Sequence, residues 1–155
     1  MKRASDYLTL AIQIALAYVF IHFGGEQNSS IFVICLAMLL TLLAITIAVK
    51  AFWDLRSSFA VAPKPHSQAK LVTSGIYSKI RHPMYSSIIL ISTAYLLYRY
   101  SVVTLASSFV IVLFFIIKIQ VEDKMLTDQF PEYKEYKENT GSLLPFKYKT
   151  RNVEK

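Results

Sequence analysis

Arg81-His82-Pro83-Met84-Tyr85 followed by Ser86-Ser87-Ile88-Ile89-Leu90-Ile91-Ser92-Thr93-Ala94-Tyr95-Leu96-Leu97-Tyr98 is the stretch that decides how this chain reads. A guanidinium, an imidazole and a phenol crowd around one proline, at the mouth of an apolar run. Polar groups are costly to keep near lipid, so in this position they are functional candidates by default. Proline holds the residue before it in extended geometry and is well suited to the first position of a helix. The segment therefore predicts a rigid corner that aims His82 and Tyr85 into a site at a membrane surface.

The rest of the chain supplies the membrane. The 155 residues are 54% hydrophobic, with a mean hydropathy of +0.42, too apolar for an ordinary soluble domain of this size. Four apolar runs stand out: Tyr7 to Phe23, Ile31 to Trp53, Tyr85 to Tyr98 and Val102 to Val121. The first, second and fourth reach the roughly 17 to 25 residues of a membrane-spanning helix. The third is short and has to start at Pro83 or lie where the bilayer is thinned. Only Arg99-Tyr100-Ser101 separates it from the fourth, so the pair predicts a tight antiparallel hairpin. The lone Cys35 sits within an apolar run and reads as a small hydrophobe. No small-residue cleavage site follows the first run, which argues against a signal peptide.

Charge sets an expected orientation. Lys2 and Arg3 precede the first run, and the loop after it has no Lys or Arg. Lys50, Arg56, Lys64, Lys70, Lys79 and Arg81 crowd the middle segment, and the tail from Lys118 onward is basic again. The positive-inside rule then puts both termini and the middle loop in the cytoplasm. The net charge of +7 is explained by these flanks and by anionic lipid headgroups, not by nucleic acid. The expected fold is an all-α integral membrane protein of about four transmembrane helices, in a single domain. Residues 1–56 form two spans, 57–82 a cytoplasmic loop, 83–121 the hairpin and 122–155 a cytoplasmic segment. That last segment continues the fourth helix, breaks near Pro131, resumes through Glu132 to Glu138 and stops at Gly141; Tyr133 and Tyr136, with Met125, Leu126 and Phe130, give it an apolar stripe that suits a membrane surface.

Lys118, Glu122 and Asp123 form a second cluster, in which Lys118 and Glu122, four apart on one helix, share a face. The tight hairpin brings them to the level of Arg81–Tyr85. A lone interfacial lysine often only snorkels, but Arg81, His82, Tyr85, Lys118 and Glu122 converging at one depth favour a site. No GxGxxG segment is present, and no His/Cys/Asp set has metal spacing. A glutamate to face a cation and a basic residue to face an anion remain. That combination suits a zwitterionic or sulfonium cofactor beside a lipid-like acid or amine.

Leu71-Val72-Thr73-Ser74-Gly75-Ile76-Tyr77, Arg81-His82-Pro83-Met84-Tyr85, Glu122-Asp123, Phe130-Pro131-Glu132-Tyr133-Lys134-Glu135-Tyr136 and Leu144-Pro145-Phe146 together resemble the isoprenylcysteine carboxyl methyltransferase family, within a wider group that includes phospholipid methyltransferases. The resemblance covers residues 69 to 147. It implies an integral membrane methyltransferase that uses S-adenosyl-L-methionine, with Leu71, Val72, Tyr77, His82, Pro83, Met84, Tyr85 and Glu122 around the cofactor and a cytoplasmic C-terminal helix, in the segment from Phe130 to Phe146, closing the cofactor pocket. It also places Lys118 on the acceptor, where the family's prenyl-substrate enzymes carry arginine; Arg81 joins it as a catalytic candidate. Ala69, Ser86, Asp123 and Pro131 depart from the commoner residues histidine, glycine, glutamate and glycine. Lysine grips a carboxylate as a point charge and lacks arginine's planar fork.

The leading expectation is methyl transfer to a lipophilic, membrane-embedded acceptor, above all a carboxylate of a lipidated molecule. Phospholipid amine methylation, a sterol-reductase-like nicotinamide enzyme and a non-enzymatic membrane scaffold are the alternatives. The small size and the lack of a eukaryotic sorting tail point to a prokaryotic inner membrane.

Overall fold

A computed structural model describes Ile14, Ala15, Tyr18, His22 and residues 25–28, 30–59 and 71–146. The first apolar run therefore lies mostly outside the described residues, as do Pro63-Lys64-Pro65, Ala69 and the chain after Phe146. Four helices carry the described part: α1 (Ile31–Phe59), α2 (Pro83–Tyr98), α3 (Val102–Gln129) and α4 (Tyr133–Asn139), with a 3-10 turn at Gly75–Ser78. The described residues contain no strand, only the isolated bridges Gln27↔Arg99 and Ile80↔Gly141.

α1 contains neither Gly nor Pro and starts where Asn28 Oδ1 accepts the Ser30 N–H at 2.9 Å. Its 29 residues make about 43 Å of helix, longer than the roughly 30 Å hydrocarbon layer. Ile31–Arg56 and Val102–Gln129 are long and apolar enough to cross a membrane; only 11% and 28% of their most apolar windows are buried. A soluble core helix would be mostly covered, so these faces suit lipid. What α1 does bury is Ala37, Ala44 and Ala51, seven apart and thus on one face, small enough for close helix approach. α2 begins at Pro83, as its sequence predicts, but its 16 residues make only about 24 Å.

The chain resolves into two compact units, each built from separated stretches: Met1–Thr41 with Ile89–Phe115, and Leu42–Ile88 with Ile116–Lys155. In the first, the Arg99–Ser101 turn closes by reciprocal capping. Thr104 N–H donates to Ser101 Oγ at 3.1 Å, and Ser101 N–H donates to Thr104 Oγ1 at 2.9 Å, a short-chain version of the capping box. Arg99 Nε donates to Gly25 O at 2.8 Å and Asn28 N to Tyr98 O at 2.8 Å. Ser92 and Ser108 link α2 to α3 through their hydroxyls at 3.2 Å.

In the second unit, α3 ends before Phe130-Pro131, as proline requires. α4 ends at Asn139 through an extended Thr140 (φ −129°). Gly141 follows as predicted, but not as a left-handed cap: among the described glycines only Gly75 has positive φ. Its role is space. A Cβ at Gly141 would overlap Leu144 O and stand 2.7 Å from Phe146 O, so the 141–146 turn closes only over glycine.

Candidate functional site

The site lies wholly within the second unit. The corner is fixed by backbone first: Arg81 N donates to Gly141 O at 2.9 Å and His82 N to Ser142 O at 3.0 Å. Ser86 Oγ donates to Leu143 O at 2.7 Å. Pro83 is fully buried as the first residue of α2. These bonds lash the start of α2 to the chain after α4 and leave the Arg81, His82 and Tyr85 side chains to face α3.

Two adjacent carboxylates on α3 receive them and divide the work. Asp123 is buried and is the anchor. Arg81 Nη1 lies 2.9 Å from its Oδ2, Lys137 Nζ 3.1 Å from the same oxygen, and His82 Nε2 3.0 Å from Oδ1. The Tyr133 hydroxyl also donates to Oδ1. A carboxylate with this many partners is satisfied and has no capacity left for a ligand. Glu122, one residue earlier, accepts the Tyr85 hydroxyl at 2.7 Å, and its side chain is 37% exposed. His82 Nδ1 stands 3.8 Å from Glu122 Oε2, and its ring stacks parallel to Tyr85 at 5.5 Å. Lys118 Nζ lies over the Tyr85 ring, 5.5 Å from its centroid, a cation–π distance.

These groups surround a cavity of about 380 Å³ lined by Leu55, Leu71, Val72, Tyr77, Arg81, His82, Pro83, Met84, Tyr85, Glu122, Leu126, Gln129, Phe130, Tyr133 and Tyr136. That volume is within the range of small-molecule pockets. Every residue that the family resemblance places around a cofactor is on this wall, and Arg81 joins them. Lys118 is not on it; it stands beside Tyr85. Arg81 is held by Asp123 through one nitrogen, while its buried Nε has no hydrogen-bond partner. Among the described residues, no group of three or more His, Cys, Asp or Glu could hold a metal ion.

The tyrosines of α4 turn inward. Tyr133 is 1% exposed, and Tyr136 donates its hydroxyl to Tyr77 O at 2.5 Å. The stripe that reads in sequence as a membrane-surface face thus supplies Leu126, Phe130, Tyr133 and Tyr136 to the cavity wall. Burial is the main cause that raises both hydroxyls above the ordinary tyrosine range. For Tyr133 the Asp123 carboxylate adds to it. Tyr136 is pushed up to about 12, with Arg81 pulling the other way. Tyr77 is raised as well, by burial first and then by the charges of Asp54 and Glu122.

The sequence placed Asp123 in the cluster with Lys118 and Glu122 without giving it the anchor's role, gave Tyr133 and Tyr136 no role of their own within the C-terminal segment, and passed over Asp54. The available signal was the pair of tyrosines at i and i+3 beside Pro131; nothing local singles out Asp123 from Glu122.

A family model described as PEMT, phospholipid methyltransferase, matches residues 32–133. No curated protein and no solved structure matches the chain.

Proposed function

Since the chain belongs to the phospholipid methyltransferase family, with well over half its length matched, we propose that it is a membrane methyltransferase that takes its methyl group from S-adenosyl-L-methionine and gives it to a lipophilic acceptor. One observation carries this reading: Tyr77, His82, Tyr85 and Glu122 converge on a single cavity in unit two. The residues fit the donor's chemistry. Glu122, carboxylate partly exposed, suits a cationic centre. Tyr77, Tyr85 and Phe130 offer aromatic faces to a purine ring or a sulfonium. Arg81, on the same wall, brings the positive charge that suits the donor's carboxylate.

When bound, the donor supplies an electrophilic methyl; the acceptor's electron pair forms the new bond to carbon and the sulfur keeps the pair of the broken bond. The chain's part is binding and alignment, which dominate such displacements. Asp123 fixes the His82 ring and the Arg81 guanidinium. Tyr85, locked to Glu122, keeps one face toward Lys118. Lys118 offers its ammonium to an ionised acceptor, which favours a carboxylate; a carboxylate is already ionised at neutral pH and needs no general base. A second reading, an amine headgroup, is favoured by the description of the matched family and requires loss of a proton before attack.

Calorimetry on detergent-purified protein tests the donor, with a nicotinamide dinucleotide as control; folded wild type that binds no S-adenosylmethionine would sink the proposal. Transfer of labelled methyl to mixed lipid extracts then separates the acceptors, because a methyl ester releases labelled methanol in alkali and a methylated amine does not.

A further inference from the structure

Asp54 stands near the end of α1, ahead of the motifs of residues 69 to 147 though within the matched residues 32–133, and the reading above gives it no role. Its Oδ2 accepts the Ile76 N–H at 2.6 Å, across 22 positions of sequence. Ile76 belongs to the Gly75–Ser78 turn, which carries Tyr77 to the cavity wall. Gly75 has φ +61°, a left-handed conformation that side chains other than glycine's rarely adopt. A Cβ there would overlap the Asp54 carboxylate, with even Oδ1 only 2.8 Å away. The carboxylate thus fills the space a side chain at position 75 would need. The neighbouring Leu55 lines the same cavity. On its other flank the turn is held by the Tyr136 hydroxyl on Tyr77 O.

We propose that Asp54 is a positioning residue for the methyl-donor cavity: it seats in the socket left by Gly75 and holds the Gly75–Ser78 turn, and with it Tyr77, against the ligand. A charged acceptor on a backbone N–H is among the stronger hydrogen bonds, and this one ties α1 to the turn. The proposal rests on the methyl-donor reading, so its test has one arm that needs no ligand.

Hydrogen exchange followed by mass spectrometry on peptides spanning residues 73–80 is measured for wild type, Asp54→Ala, Asp54→Asn and Gly75→Ala, alongside S-adenosylmethionine calorimetry and turnover. Asp54→Ala should speed exchange of this segment and weaken donor binding about tenfold, the size expected for one charged hydrogen bond. Turnover at saturating donor should stay within about twofold, since a positioning residue acts on binding and not on the transfer step. Asp54→Asn, which keeps an acceptor oxygen, should recover most of the affinity. Gly75→Ala should reproduce the Asp54→Ala defect by displacing the carboxylate. Wild-type exchange and wild-type affinity in Asp54→Ala would overturn the proposal. If Asp54→Ala does not fold, the Asp54→Asn and Gly75→Ala measurements decide it. Wild type that binds no donor defeats the functional reading itself, and the exchange arm then still shows whether Asp54 holds the turn.

Discussion

α2 is flanked by two polar segments that solve the same problem in different ways. After its last turn, Arg99–Thr104 caps itself locally: Thr104 and Ser101 cap one another, and Thr104 Oγ1 also donates to Arg99 O at 2.9 Å. Before its first turn, Arg81–Tyr85 finds its partners far along the chain, at Asp123 and Glu122 on α3. The first segment closes its cap with short hydroxyls and backbone within a few residues, and its charge, on Arg99, goes to a backbone carbonyl, Gly25 O. The second gathers charges from three elements and still leaves Glu122 partly exposed and Arg81 Nε without a partner. A turn needs only local satisfaction. Buried charges are costly to assemble, and their concentration around a cavity marks the second segment as the place where the chain does more than fold.

The comparison is broken most directly by removing the anchor. Asp123→Ala leaves Arg81 buried without its counter-charge, and loss of one partner of a buried pair costs about 3–5 kcal/mol. Denaturation in detergent should show a loss of that order, together with loss of donor binding; an unchanged midpoint would mean that the charge cluster is not holding the second unit together. Glu122→Gln asks the opposite question. It should leave the melting midpoint close to wild type yet weaken S-adenosylmethionine binding on the order of tenfold to a hundredfold, the range for a hydrogen bond or contact to a charged group. Calorimetry that finds wild-type affinity would remove Glu122 from the cofactor role.

Lys118→Ala sharpens the division further. Donor affinity should hold while turnover falls by at least about tenfold, as for a group that binds only the acceptor; abolished donor binding would reverse the two roles. On the other side of the comparison, Ser101→Ala should cost about 1 kcal/mol, the usual worth of a helix cap, with turnover per folded molecule unaltered.

The smallest effect is in alkali. Tyr136 ionises at about 12 in the folded chain, and Tyr133 is raised too, whereas an unfolded tyrosine ionises near 10. The folded state therefore holds protons that the unfolded state loses. Stability from this source is complete below about pH 10 and declines as pH rises toward 12. Unfolding midpoints compared at pH 9 and 11 should fall in wild type and fall less in Tyr136→Phe.

Much of the site was legible. The proline corner, the start of α2 at Pro83, the break at Pro131 and the shared face of Lys118 and Glu122 all follow from backbone sterics and helical period, which act within a few residues. The hidden part was which of several legible residues takes which role. Asp123 and Glu122 are neighbours of the same charge type, and helix geometry alone points them about 100° apart without saying which one faces Arg81. The tyrosines of α4 form an apolar stripe whether it meets lipid or a cavity. Asp54 sits in a basic, polar helix end that reads as solvated.

By itself the sequence determined the helices, their breaks, the apolar faces that suit lipid and the membership of one chemical cluster, because those depend on composition, spacing and proline. The tertiary structure alone decided which carboxylate anchors and which stays available, that Gly75 makes room for Asp54, and that Tyr133 and Tyr136 look inward. Those outcomes depend on contacts between residues 10 to 59 positions apart, and only packing of the folded chain brings such residues together.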